Sequence, residues 1–118
     1  MPNALESRFK ANLKRKLNRL YPGCLLLDGN PNDLQGIPDL IILYQGMWAA
    51  LECKQAHGSR VQPNQEYYVN LMDAMSFAAF IYPENEESVL DDLQRAWGSR
   101  RPARVSQRQQ VSLDQLRR

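Results

Sequence analysis

"GIPDLIILYQGMWAALECKQ" (residues 36–55) holds two apolar runs of strand length, with acids and a lysine set among the hydrophobes. Gln45-Gly46 divides the runs, and a two-residue loop with glycine second signals a type I′ hairpin. Such a loop sets the register. Tyr44 pairs with Met47, Leu43 with Trp48, Ile41 with Ala50, and Asp39 with Glu52. Alternation then places Asp39, Ile41 and Leu43 on one face with Trp48, Ala50, Glu52 and Lys54. Leu40, Ile42, Ala49 and Leu51 take the other face. Both faces are apolar along the hairpin body, so layers are expected to cover the sheet on both sides. Only the open end, on one face, turns polar. A site is expected there.

Upstream, Leu5, Phe9, Leu13, Leu17 and Leu20 recur at helical intervals and predict one apolar stripe, with Lys10, Lys14 and Arg15 elsewhere on the wheel. Pro22-Gly23 ends that helix, "CLLLD" (24–28) is a short strand, and "GNPNDLQG" (29–36) is loop. Downstream, Pro63 suits the first position of a helix to about Met75, with Tyr68, Val69, Met72 and Met75 inward. "SFAAFIYP" is a further buried strand, and "ENEESVLDDLQRAW" an amphipathic helix with its acids at the favourable end. The order helix, strand, hairpin, helix, strand, helix is that of an α/β layer fold. The apolar pattern lapses after Trp97, dividing a domain at 1–97 from a basic tail at 98–118, which reads as flexible or as an arm that orders on a partner.

The chain of 118 residues suits one domain, and its 43% hydrophobic and 24% charged residues are ordinary for a globular protein. No apolar run approaches the roughly 20 residues of a membrane span, and the basic N-terminus lacks the apolar block of a secretory signal. Cytoplasmic location is the expectation. Two cysteines fit a reducing compartment and no zinc spacing, and a single histidine leaves little for zinc-hydrolase or Ser-His-Asp schemes. The net charge of +2 is unevenly spread: six basic residues and no acid lie between Arg8 and Arg19, and six arginines face one acid in residues 100–118. Basic ends suit a polyanionic partner; a solvated helix face and a disordered tail have the same signature.

Facing residues on antiparallel strands start about 4.5–5.5 Å apart. Two carboxylates brought to about 4 Å repel by roughly 4 kcal/mol at an effective dielectric near 20. Asp39 and Glu52 therefore call for a proton or a cation, and hard oxygen ligands with open positions suit Mg²⁺ or Mn²⁺. Lys54 follows on the same face, able to bring its ammonium to the rim. A divalent ion beside a lysine supplies what phosphodiester hydrolysis needs: an acidified water and positive charge on the transition state. An isolated Glu-x-Lys is commonplace among solvated edge residues. The weight lies in the combination of Pro-Asp opening one strand and Glu-x-Lys closing the next, in facing register.

"GIPDLIIL…ALECKQ…VQPNQEYYVNLM" resembles the PD-(D/E)XK nuclease superfamily, and most closely its VRR-NUC branch, over about residues 1–82. Phage-type Holliday junction resolvases of the endonuclease I group belong to the same superfamily and are similar in size and basic ends. The resemblance implies a restriction-endonuclease-like fold, a central mixed β-sheet flanked by helices in the order α-β-β-β-α-β-α. It also implies roles. Asp39, Glu52 and the backbone carbonyl of Cys53 would be ligands of Mg²⁺ or Mn²⁺. Lys54 would polarise the attacking water, and Gln65 would brace the site, with Gln62 its competitor in "QPNQ". Glu6 would reach the metal directly or through water; Asn3 and Glu6 also read as a helix capping box. His57 and Arg60 lie where a scissile strand would pass, and Trp48, facing Leu43, reads as core.

The implied activity is a Mg²⁺-dependent endonuclease acting on branched DNA such as a four-way junction, by in-line attack of water that leaves a 5′-phosphate. Two symmetric cuts suit a two-fold homodimer. Lys10, Lys14, Arg15, Arg100, Arg101, Arg104 and Arg108 are the candidate phosphate contacts. Flap, nicked or single-stranded DNA is the alternative substrate, and a non-catalytic DNA-binding module on the same scaffold the alternative class.

Overall fold

The computed structural model describes residues 4–29 and 34–98. The elements are α1 (Ala4–Leu20), β1 (Leu25–Asp28), β2 (Leu40–Tyr44), β3 (Met47–Cys53), α2 (Pro63–Met75), β4 (Ala78–Ile81) and α3 (Glu86–Gly98). This is an α/β fold with one four-stranded mixed sheet in the order β1-β2-β3-β4. The first three strands are antiparallel neighbours, and β4 returns parallel to β3 after the α2 crossover.

The β2–β3 register follows from its turn. Gln45 (φ 50°) and Gly46 (φ 79°) both take positive φ, as a type I′ loop requires. Tyr44 faces Met47, Leu43 faces Trp48 and Leu40 faces Leu51, which brings Asp39 opposite Glu52.

One face of the sheet carries the main core. Phe9, Leu13 and Leu17 of α1 and Val89, Leu90, Leu93 and Trp97 of α3 pack on Leu40, Ile42, Ala49, Leu51, Cys53 and Ile81. Tyr21, Tyr44 and Trp97 close this core beside the hairpin turn, their ring centroids 4.8–5.8 Å apart. Lys16 of α1 pairs with Glu86 at the start of α3, joining the two helices of this layer. On the other face a smaller cluster forms where Val69 and Met72 of α2 meet Ile41, Trp48, Ala50, Ala78 and Phe80.

Three expected core positions are exposed instead. Leu5 and Leu20 lie at the ends of α1, whose 17 residues span about 25 Å, more than strands of four or five residues offer beneath it. Met75 ends α2 with 62% of its surface open. Covering is also uneven. Because α2 packs chiefly over β3 and β4 and reaches only Ile41 on β2 in this cluster, Leu43 on β2 and Leu25 and Leu27 on β1 remain exposed on that side. Trp48 is half-buried in the smaller cluster, but its partner Leu43 is not core.

Two glycines let the chain close around the open end of the hairpin. A methyl on Gly29 would fall 2.1 Å from the Pro38 carbonyl oxygen, and the Gly29 N–H donates to the Asp39 carbonyl at 3.0 Å. Gly36 (φ 91°) lies so close to α2 that a methyl would stand 2.4 Å from Asn64 Cβ. The Gly-x-Pro-Asp segment is thereby pressed against the first turn of the helix that carries Gln65.

Candidate active site

Asp39 and Glu52 meet at the open end of the β2–β3 ribbon and lock to each other's backbone. The Asp39 N–H donates to Glu52 Oε1 at 3.2 Å, and the Cys53 N–H donates to Asp39 Oδ1 at 3.1 Å. Each acid thus accepts from the facing backbone with one oxygen; the second oxygen of Glu52 meets Gln65 and that of Asp39 lies toward Lys10.

Gln65 and Lys54 complete the arrangement from the α2 side. Gln65 Nε2 donates to Glu52 Oε2 at 3.1 Å, while Gln65 Oε1 accepts from Lys54 Nζ at 2.8 Å and from the Gln62 N–H at 3.1 Å. Gln65 therefore bridges the acid and the lysine while capping the first turn of its own helix. Gln62, its competitor in the sequence, is exposed. Lys54 Nζ also donates to the Arg60 carbonyl at 3.1 Å and stands 3.7 Å from Glu52 Oε2. Two of its three donors are spent on neutral acceptors, and the ammonium is aimed at the carboxylate side of the site.

The electrostatics show what this costs. Burial, and then the charge of Asp39, push the Glu52 carboxyl up to about 7, against the pull of Lys54; Glu6 adds to the rise through its charge. Burial likewise raises Asp39, opposed by the Cys53 N–H and by Lys10. The Cys53 thiol lies in the main core, raised by burial first and then by the charge of Asp39, and it meets the Asp39 carboxyl through a side-chain hydrogen bond as its N–H does through the backbone. Asp39, half-buried, and Glu52, buried, both resist ionisation, and carboxylate oxygens so placed are the kind of donor a hard divalent cation takes. Among the described residues no three His, Cys, Asp or Glu side chains gather into one cluster. Glu6, in the first turn of α1, reaches Glu52 through its charge. Asn3, the other half of the expected capping box, lies outside the described residues.

The expected DNA contacts are dispersed. Lys10 and Lys14 both turn to Asp28 Oδ1, at 3.0 and 2.9 Å, and Lys10 stands 3.8 Å from Asp39 Oδ2. Arg15 donates to Asn12 on its own helix. His57 is exposed, its ring 5.6 Å from that of Tyr82, and Arg60 presents an exposed side chain while its carbonyl holds Lys54. Arg100, Arg101, Arg104 and Arg108 lie outside the described residues. No helix among the described residues is long and apolar enough to cross a membrane.

Asp28 was given no role by the sequence. Its carboxyl is held below the usual range by its hydrogen bonds to Lys14 and Lys10. The signal was faint: a strand-terminal acid, with two lysines four residues apart on the preceding helix. The chain matches no family model, no curated protein and no solved structure.

Proposed function

We propose that this chain is a Mg²⁺- or Mn²⁺-dependent DNA endonuclease with a restriction-endonuclease-like fold, hydrolysing phosphodiester bonds of branched DNA such as a four-way junction as a two-fold homodimer. The observation that carries the reading is the interlock of Asp39, Glu52, Gln65 and Lys54 at one end of one hairpin. A stabilising role alone does not account for it, because two facing acids with raised carboxyls weaken a metal-free fold. The element order, three antiparallel strands followed by a helix and a parallel strand, is also the one the resemblance implies.

Asp39, Glu52 and the Cys53 carbonyl would hold the ion, with Glu6 acting at longer range. When bound, the ion supplies positive charge to the phosphate oxygens and acidifies the attacking water. Lys54 keeps its ammonium beside that reaction, oriented by Gln65 and the Arg60 carbonyl, so its charge meets the negative transition state without reorganisation. Gln65 restrains Glu52 Oε2 by hydrogen bonding without adding charge. Exposed cations, Arg60 among them, would position the duplex through phosphates, which makes binding weaken as salt rises.

The test is cleavage of a synthetic four-way junction beside linear duplex, flap and nicked DNA, with and without Mg²⁺. Mg²⁺-dependent cutting with preference for the junction is expected. Binding without cutting under every divalent metal would leave only a DNA-binding module.

A further inference from the structure

The lysine nearest Asp39 comes from the opposite layer to Lys54. Lys10 reaches from α1, its side chain 23% exposed, with Nζ 3.0 Å from Asp28 Oδ1 and 3.8 Å from Asp39 Oδ2. A phosphate contact should offer its ammonium to solvent; this one faces two acids. Asp39 Oδ1 is already engaged by the Cys53 N–H, so the oxygen that Lys10 approaches is the one a metal would use.

We propose that Lys10 is a tethered counter-cation of the site, holding the place of the divalent ion at Asp39 Oδ2 and competing with it, with Asp28 as the post to which it withdraws. The proposal rests on the metal-dependent nuclease reading and concerns how that site is loaded. A metal-free site with two facing acids needs a positive charge close by, and Lys10 supplies one without leaving the chain. Entry of the ion then displaces an ammonium that remains bonded to Asp28, a move of one flexible side chain. Lys14, bound to the same Asp28 oxygen, sets how firmly that post holds. Lys54 does not share this role, since Gln65 and the Arg60 carbonyl keep it beside Glu52.

The test is Mn²⁺ uptake by the full, DNA-free chain, read from the loss of the free-ion electron paramagnetic resonance signal. Lys10→Met should bind Mn²⁺ about tenfold more tightly than wild type, a change well within what one charge at this separation can produce. Asp28→Asn, which releases Lys10 onto Asp39, should bind more weakly. Arg19→Met removes an equal charge from the last turn of the same helix and should change nothing. Lys10→Met binding no tighter than wild type, or Arg19→Met tightening it as much, overturns the proposal; Asp39-dependent uptake by wild type would then still support the nuclease reading. Absence of Asp39-dependent uptake in every variant removes the reading and this inference together. Circular dichroism melts establish that each variant is folded, and Asp28→Asn reads the same competition if Lys10→Met is not.

Discussion

The two ends of the β2–β3 hairpin are built on opposite principles. At the turn, Tyr44 stacks with Trp97 and meets Tyr21 at a tilt, and the neighbouring core is apolar. At the open end, five residues farther along each side, Asp39 and Glu52 face each other under partial burial with both carboxyls raised. Ring packing at the first end lowers the free energy of the fold. Charge crowding at the second raises it, and hydrogen bonds to the facing strand and to Gln65 keep the acids in place. One ribbon thus carries its anchor and its chemistry at separate ends, so each can be perturbed without the other.

The largest expected effect falls at the open end. Asp39→Ala should reduce cleavage by about a thousandfold or more, in line with losing a group that stabilises transition-state charge, while DNA affinity in Mg²⁺-free buffer stays near wild type. A variant that still cuts would remove the site assignment. At the turn end the outcome is reversed. Trp97→Ala, deleting a buried ring, should cost about 3–5 kcal/mol in urea unfolding yet leave Mn²⁺ affinity of the folded protein unchanged. A matching loss of metal affinity would show that the two ends are coupled.

The smallest effect is a pH dependence. Glu52 has its carboxyl raised from 4.5 to about 7 on folding, so the folded state binds its proton more tightly than the unfolded one. Its contribution to stability is full below 4.5 and is lost as pH rises through about 7, a change of order 3 kcal/mol. The stability of metal-free wild type relative to Glu52→Gln should therefore fall between pH 4.5 and 8. Saturating Mn²⁺, which favours the ionised carboxylate, should abolish that fall. A difference that is flat with pH would mean that Glu52 is not strained by folding.

The hairpin was legible because a two-residue loop leaves no freedom in register: once Gln45-Gly46 turns, Asp39 must face Glu52. The α/β element order was legible from periodicity and from Pro22-Gly23, Pro63 and Pro83 as breaks. Asp28 was not, because β1 joins β2 through the long connection at residues 29–39, which imposes no register. The exposed Leu5, Leu20 and Met75 mark another limit. Periodicity identifies the apolar side of a helix but not where the surface beneath it ends. Leu43 went astray similarly, since a sheet apolar on both faces does not reveal how many strands the covering helix spans. The choice of Gln65 over Gln62 could be made from the helix start alone, but its bridge between Glu52 and Lys54 required three-dimensional placement.

Gly36 has a bearing on transplantation. With no room for even a methyl between it and Asn64, the segment that carries Asp39 into β2 is packed directly on the helix bearing Gln65. Anyone grafting this ribbon onto another scaffold would have to carry the opening turn of α2 with it. The acids alone would arrive without the amide that orients them.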